Sequence, residues 1–154
     1  MKKQKTVFFP GGNKYKGEEK GDKAHGKGRL TFSNGSKYAG DFRSGKPNGY
    51  GTLTMPNGTK YQGEWKDGIL EGKAHCYFAN GDTYNGQIRN GKPNGPGTFS
   101  FASGSIYEGE WKNGLYHGKG AIEYPHGTIL EGEFKKGKFR GRKFELTGFP
   151  LSDK

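Results

Sequence analysis

Carboxylates recur beside histidines in this sequence, and such a pair can exchange a proton with a substrate. If short turns close hairpins as argued below, Glu110 faces His117, Glu18 faces His25, and Arg140 takes the histidine's place opposite Glu133. A histidine next to a carboxylate can serve as a general acid or base. The alternative is a cross-strand polar pair that adds about 0.2–1 kcal/mol to a hairpin. We favour the structural interpretation, because the pair recurs along the chain instead of marking one place.

The other residues that could do chemistry are scattered. Cys76 is the single cysteine, and its neighbour His75 must point to the opposite face of a strand. His25 and His117 stand at equivalent positions of stacked units, about 40 Å apart, too far to share a metal ion. "GDKAHGKG", residues 21–28, imitates a phosphate-binding loop but lacks its Ser or Thr and a following helix. We therefore expect no catalytic site, no metal and no cofactor.

The elements that position these residues repeat every 23 residues. The step is visible in one series of aromatic positions, which gives tyrosine five times and then leucine: Tyr15, Tyr38, Tyr61, Tyr84, Tyr107 and Leu130. One glycine follows two residues after each of these positions, and another follows eleven residues after it. The register holds through Gly141, so stacking of like units without insertions is predicted.

Each unit is predicted to be a β-hairpin. "YQGEW", residues 61–65, alternates with the two-residue period of a strand, and Asp67-Gly68 is a dipeptide that two-residue turns prefer. This turn predicts Tyr61 opposite Ala74, Gly63 opposite Gly72 and Trp65 opposite Leu70. In most other units the residue opposite the tyrosine is then a glycine: Gly28, Gly51, Gly97 and Gly120. We expect these glycines to let the large rings lie over bare backbone.

The loop between hairpins must hold an odd number of residues, because 23 is odd and equal parity would send successive tyrosines to opposite faces. Pro56-Asn57-Gly58 fits a three-residue loop with a left-handed glycine. The predicted fold is all-β, an elongated single-layer antiparallel meander of about twelve strands, twisted or curled into a trough. We divide the chain into a half repeat or cap (1–14), about six hairpin repeats (15–141) and a cap or tail (142–154).

The composition excludes a conventional aliphatic core. The 154 residues include 30 glycines and only 29% hydrophobic residues, yet 14% are aromatic. The formal net charge of +11 favours an acidic partner. One cysteine fits a reducing compartment, and the apolar run Val7–Phe9 is far too short for a signal peptide or membrane span. We expect a cytoplasmic protein.

Two surfaces are candidate binding sites. The first is an aromatic face, suited to a helix or an extended peptide of a partner protein; its alternative role is internal packing alone. Its residues are Tyr38, Phe42, Tyr61, Trp65, Phe78, Tyr84, Phe101, Tyr107 and Trp111. The second is a basic ladder five residues after each repeat position, suited to acidic phospholipid; its alternative role is a solvated surface. Its residues are Lys20, Arg43, Lys66, Arg89, Lys112 and Lys135.

The unit resembles the MORN (membrane occupation and recognition nexus) repeat. "YEGEWKNG" (107–114) and "HGKG" (117–120) match its pattern best, whereas Glu19, Glu71 and Arg140 depart from it. The resemblance implies hairpin sheets that mediate protein–protein association or contact acidic phospholipids, in junctional, ciliary and cytoskeletal scaffolds. We therefore expect a non-catalytic scaffold that binds a protein along its aromatic face. We expect this scaffold to be cytoplasmic or associated with the cytoskeleton. The alternative is a peripheral membrane adaptor that uses the basic ladder. Nucleic acid is the least favoured partner, because the rings are committed to packing.

Overall fold

The computed structural model describes residues 3–140, which form one antiparallel sheet of thirteen strands. The strands lie in sequence order, so each one pairs only with its neighbours in the chain. They are β1 Gln4–Phe8, β2 Lys14–Lys20, β3 Lys23–Thr31, β4 Lys37–Arg43, β5 Lys46–Thr54, β6 Lys60–Lys66, β7 Ile69–Tyr77, β8 Thr83–Arg89, β9 Lys92–Ser100, β10 Ile106–Lys112, β11 Leu115–Glu123, β12 Ile129–Lys135 and β13 Lys138–Phe139. The predicted single-layer meander is confirmed. Residues 3–140 contain no helix long and apolar enough to cross a membrane.

Two kinds of turn alternate along the sheet, as predicted. Asp67 and Gly68 have φ values of 48° and 83°, the left-handed pair that a two-residue hairpin turn requires. On the other edge, Met55 and Thr59 close a three-residue loop, in which the Met55 amide donates to the Thr59 carbonyl at 2.8 Å. Gly58 has φ 92° there and supplies the left-handed residue. The odd loop keeps Tyr61 and the preceding repeat tyrosine, Tyr38, on one face.

The predicted register within each hairpin was wrong beyond the first residues from the turn. Trp65 does pair with Leu70, but Gly63 pairs with Ala74 and Tyr61 with Cys76. The cause is a β-bulge around Gly72, whose φ of 82° puts extra residues into β7. The other repeat tyrosines likewise face apolar residues instead of glycines: Tyr15 faces Leu30, Tyr38 faces Leu53, Tyr84 faces Phe99 and Tyr107 faces Ile122.

The bulges align two straight rows across the sheet on the same face. We call the first the aromatic row: Val7, Tyr15, Leu30, Tyr38, Leu53, Tyr61, Cys76, Tyr84, Phe99, Tyr107, Ile122 and Leu130. We call the second the glycine row: Gly17, Gly28, Gly40, Gly51, Gly63, Ala74, Gly86, Gly97, Gly109, Gly120 and Gly132. The rings lean from the first row onto the second. A Cβ atom at Gly97, for example, would lie 2.6 Å from Cε2 of Tyr84.

The core of the sheet consists of these rings and their neighbours on one face. Tyr38, Tyr84 and Tyr107 are only 1%, 1% and 0% exposed. Their rings meet neighbours edge to face, with the Tyr38 centroid 5.1 Å from that of Phe42 and 5.4 Å from that of Trp65. Such edge-to-face pairs are favourable beyond their buried area. Because no second layer covers this face within residues 3–140, the rings and their flanking side chains must bury one another.

Candidate functional site

Most repeat tyrosines are held by their hydroxyl groups. The hydroxyl of Tyr84 donates to the carbonyl of Gln87 at 2.7 Å, and that of Tyr107 donates to the carbonyl of Glu110 at 2.7 Å. Tyr38 makes the same bond to Asp41 at 2.9 Å. Burial, with a smaller contribution from Tyr116 and Glu110, raises the pKa of the Tyr107 hydroxyl to about 12. These rings are buried structural groups whose hydroxyl protons are already donated to backbone carbonyls.

The structure buries six of the nine residues predicted for the aromatic face: Tyr38, Phe42, Trp65, Tyr84, Tyr107 and Trp111. The other three, Tyr61, Phe78 and Phe101, are half-buried. All nine belong to the packed aromatic clusters, because Phe78 stacks on Phe99 and Phe101 lies 4.6 Å from Phe99 between ring centroids. A partner could therefore touch only part of this face, and its binding there stays a prediction.

Tyr61 is the exception among the five repeat tyrosines. Its side chain is half-buried, and its hydroxyl has no hydrogen bond among the contacts of the described residues. The reason is Ala74, the one residue of the glycine row that carries a methyl group. That methyl group occupies the place where the other rings lie on bare backbone. Tyr61 instead meets Phe78 edge to face at 6.3 Å.

Two apolar hollows open on the aromatic face beside the two-residue turns. We call the first hollow A; it is lined by Tyr61, Trp65, Gly68, Ile69, Leu70, Asn90 and Gly91. We call the second hollow B; it is lined by Phe99, Phe101, Trp111, Gly114, Leu115, Tyr116 and Gly137. Five lining positions, from the tryptophan onward, are shared at a distance of 46 residues, or two repeats. The hollows are therefore two copies of one site.

Exposed aliphatic residues mark both hollows, and sequence reasoning missed them. Ile69 is 49% exposed and Leu115 is 48% exposed, each directly after a two-residue turn. Lys46 and Lys92 occupy the same position in adjacent units. The signal was available, since stepping by 23 residues shows lysine replaced by a large aliphatic residue in alternate units. Leu70 and Tyr116, which line the hollows beside them, were likewise absent from the predicted site.

The basic ladder lies at the turn edge of the sheet, and all six of its side chains are exposed. None of the six takes part in an ion pair within residues 3–140. In four hairpins the ladder residue pairs with a second cation: Lys20 with Lys23, Arg43 with Lys46, Arg89 with Lys92 and Lys135 with Lys138. In the other two, Lys66 pairs with Ile69 and Lys112 with Leu115. Each exposed aliphatic residue therefore lies opposite one lysine of the ladder.

Comparison with known protein families gives a specific result. The profile of the MORN repeat matches residues 15–37, 38–60, 61–83, 84–106, 107–129 and 131–142. The chain belongs to the MORN repeat family. A comparison with curated protein sequences gives no significant match.

Two solved structures resemble the MORN sheet only distantly. One is the TCP domain of SAS-4 (dCPAP) from Drosophila melanogaster, in complex with a proline-rich motif of Ana2 (dSTIL). Its sequence identity to this chain is 14% and the TM-score is 0.38, and the match covers 85% of this chain and 84% of that one. The other is the G-box domain of the microcephaly protein CPAP, with 17% identity, a TM-score of 0.26, and coverage of 97% and 100%. Likenesses at these scores carry no argument about function.

The acidic residue of the MORN unit stabilises the bulge. The carboxylate of Glu18 accepts a hydrogen bond from the amide of Lys27 at 2.8 Å, and that of Asp41 accepts one from the amide of Tyr50 at 3.1 Å. The bulge removes Glu18 and Glu110 from regular pairing, so the predicted pairs with His25 and His117 were wrong. Glu133 does face Arg140, whose amide donates to the Glu133 carbonyl at 2.7 Å.

No group of three histidine, cysteine or acidic residues within residues 3–140 is placed to hold a metal ion. Cys76 is buried in the aromatic row between Tyr61 and Tyr84, and burial raises the pKa of its thiol to about 11. A thiol in this environment is protonated at neutral pH and packs as a small apolar side chain. The predicted tail, residues 142–154, with Phe144, Leu146, Phe149 and Leu151, lies outside the described residues.

Proposed function

We propose that this MORN array is a non-catalytic scaffold that holds one segment of a partner protein across hollows A and B. The observation that carries the proposal is the duplication of one apolar site at a fixed distance. Trp65 lies on β6 and Trp111 on β10, so the hollows are about 19 Å apart at the usual spacing of strands. An exposed apolar surface with polar neighbours is suited to a protein partner.

The spacing of the hollows sets what a partner segment would need. Two large apolar side chains must stand about 19 Å apart, which is about 13 residues of α-helix or about six residues of extended chain. Lys66 and Lys112, which lie opposite Ile69 and Leu115, favour an acidic residue close to each apolar anchor. The free hydroxyl of Tyr61 adds a polar contact in hollow A that hollow B lacks.

Selection of displayed peptides on the purified protein tests this proposal. We expect selected peptides to carry two bulky apolar residues at one of these spacings. Their affinity should fall about ten-fold or more for the double variant Ile69→Ser/Leu115→Ser, because each anchor loses apolar contact. The matched control Lys46→Ser/Lys92→Ser changes the same turn position in adjacent units and should leave affinity nearly unchanged. Equal loss in both variants, or peptides insensitive to both, would refute this site.

A second candidate function is contact with acidic phospholipid. The observation that favours it is the basic ladder, whose cations form no ion pair with residues 3–140 and are doubled at four of the six turns. Each basic residue near an anionic membrane contributes about 1 kcal/mol, so several rungs acting together suffice for attachment. Both candidate functions are suited to the cytoplasm, or to the cytoskeleton and membranes that border it.

Flotation with phosphatidylserine-containing and neutral vesicles tests the ladder. Binding should require the acidic lipid, fall as salt rises, and be lost in the variant Lys66→Glu/Arg89→Glu/Lys112→Glu. Reversing Lys60, Lys73 and Lys119 changes the net charge equally, away from the turn edge, and should weaken binding less. If neither variant lowers binding, the ladder is not the lipid site.

A further inference from the structure

The face opposite the rings, which we call the back face, carries a row whose charge changes sign along the sheet. In pairing order this back row is Thr6, Lys16, Arg29, Ala39, Thr52, Gln62, His75, Asn85, Thr98, Glu108, Ala121 and Glu131. Its members precede or follow aromatic-row residues by one position, so their side chains point away from the rings. Two cations lie at one end of the row, two carboxylates at the other, and uncharged residues or histidine between them.

The adjoining row on the back face repeats the reversal. Lys14 and Lys37 extend the basic end, and Glu123 extends the acidic end. Lys16 and Glu108 occupy the same position of the repeat, 92 residues apart, on the same local backbone. Both ends form open concave surfaces. The one at the basic end is lined by Gln4, Lys16, Lys27, Gly28, Arg29, Ala39 and Gly40, and the one at the acidic end by Glu108, Gly109, Lys119, Gly120, Ala121, Glu131, Gly132 and Glu133.

Four charges of the back row, two at each end, form no ion pair within the described chain, whereas Lys27 in the adjacent row pairs with Asp41 and Lys119 lies opposite Glu133. Lys16 pairs directly with Arg29, and Glu108 and Glu131 flank Ala121 on neighbouring strands. These four side chains are exposed, and none of them joins an ion pair in residues 3–140. Like charges placed directly opposite each other destabilise a strand pair. A surface that supplies the opposite charge would remove this cost at the basic end and would neutralise the two carboxylates at the acidic end.

We infer that the back face binds a second copy of this chain, with the basic end of one copy against the acidic end of the other. The two ends have opposite charge on the same repeating backbone, with the two cations on adjacent strands and the two carboxylates two strands apart. The back face of thirteen strands offers about 1,300 Å² in projection, more than the roughly 800 Å² per partner of a standard interface. The contact leaves the apolar hollows on the other face accessible.

Sedimentation velocity on the full chain tests the contact. At low salt the mass should rise with concentration above that of the monomer, and high salt should return it to the monomer, because the charges are exposed and therefore screened. A two-fold pair would use both ends of both copies and stop at the dimer, whereas a linear arrangement would continue to larger masses. Either pattern supports the inference, and a monomer at every concentration in low salt would overturn it.

Charge exchange makes the test specific. Lys16→Glu/Arg29→Glu makes both ends acidic, and Glu108→Lys/Glu131→Lys makes both ends basic. Each variant alone should associate about ten-fold or more weakly, and a mixture of the two should associate again. Failure of the mixture to associate would overturn the inference. Circular dichroism of each variant establishes that the sheet is intact.

Discussion

The indole nitrogen of Trp65 donates a hydrogen bond of 2.9 Å to the carbonyl oxygen of Gly51, which belongs to the preceding hairpin. Trp111 makes the same bond to Gly97 at 3.0 Å. Each tryptophan therefore joins two successive repeats through both its ring and its polar atom. A sheet without a second layer depends on such contacts between hairpins, because they are the nearest equivalent of a core.

Replacing Trp65 should separate these two contributions. Trp65→Phe keeps an aromatic ring and leaves the Gly51 carbonyl without its donor, so we expect a loss of about 1–3 kcal/mol in the free energy of unfolding. Trp65→Ala also removes the ring and should cost about 3–5 kcal/mol. Urea denaturation followed by circular dichroism measures both. Equal stability of the phenylalanine variant and the native protein would show that the hydrogen bond contributes nothing.

Two glycines should resist substitution for different reasons. Gly72 has φ 82° and open space around it, so Gly72→Ala should cost about 1–2 kcal/mol through backbone strain alone, and Gly72→Asn should cost less. At Gly97 a methyl group would lie 2.6 Å from the Tyr84 ring, so Gly97→Ala should cost about 1–3 kcal/mol or more by overpacking. Asparagine should be worse than alanine at Gly97. Thermal melts of the four variants measure their stabilities. If alanine and asparagine ranked in the same order of stability at both sites, the prediction would be contradicted.

Ala74→Gly should release Tyr61 to the position that the other repeat tyrosines adopt. We expect the ring to become buried and its hydroxyl to donate to the Glu64 carbonyl, the acceptor equivalent to those of the other units. A crystal structure or tyrosine NMR would detect the movement. Stability should not fall, although glycine for alanine in a strand ordinarily costs about 0.5–1 kcal/mol. A ring that stays half-exposed would show that Ala74 is not what displaces it.

Alkaline pH should unfold the sheet through its tyrosines. Burial raises the pKa of Tyr107 to about 12 and also raises those of Tyr38 and Tyr84, whereas an unfolded tyrosine ionises near 10. Stability contributed by these protonated hydroxyls is therefore fully present below pH ~10 and is lost as the pH rises toward about 12. Absorbance at 295 nm and circular dichroism should change together in that range. Ionisation of all tyrosines near pH 10 without unfolding would contradict this.

The architecture followed from spacing because the repeat has no insertions. The 23-residue step, the Asp67-Gly68 turn and the three-residue loop at Pro56–Gly58 together predicted the meander and the common face of the rings. The predicted strand register was wrong beyond Gly72, because a two-residue alternation of side chains cannot show where a strand contains the extra residues of a β-bulge. A glycine at the eleventh position after every tyrosine was the available signal, since the backbone is left-handed at each of these positions, even at Gly72, where a side chain would have space.

Burial of the predicted site was beyond sequence reasoning. Whether Tyr84 offers its face to a partner depends on the direction in which its ring leans, and the ring leans along the strand onto the backbone at Gly97. The spacing of residues predicts on which face of the sheet a side chain lies, but it does not predict the direction in which the ring leans on that face. Ile69 and Leu115 lie outside the periodic aromatic positions, because the exposed apolar surface begins directly after the turns at Asp67-Gly68 and Asn113-Gly114.

Because the strands lie in sequence order, the number of repeats determines the length of the sheet. Each hairpin pairs only with its neighbours, so a whole 23-residue unit can be added or removed without breaking any pairing except at the new junction. Every such change lengthens or shortens the sheet by two strands, about 10 Å. The distance between two features on this surface is therefore available only in steps of about 10 Å, and the number of intervening repeats in the gene determines it.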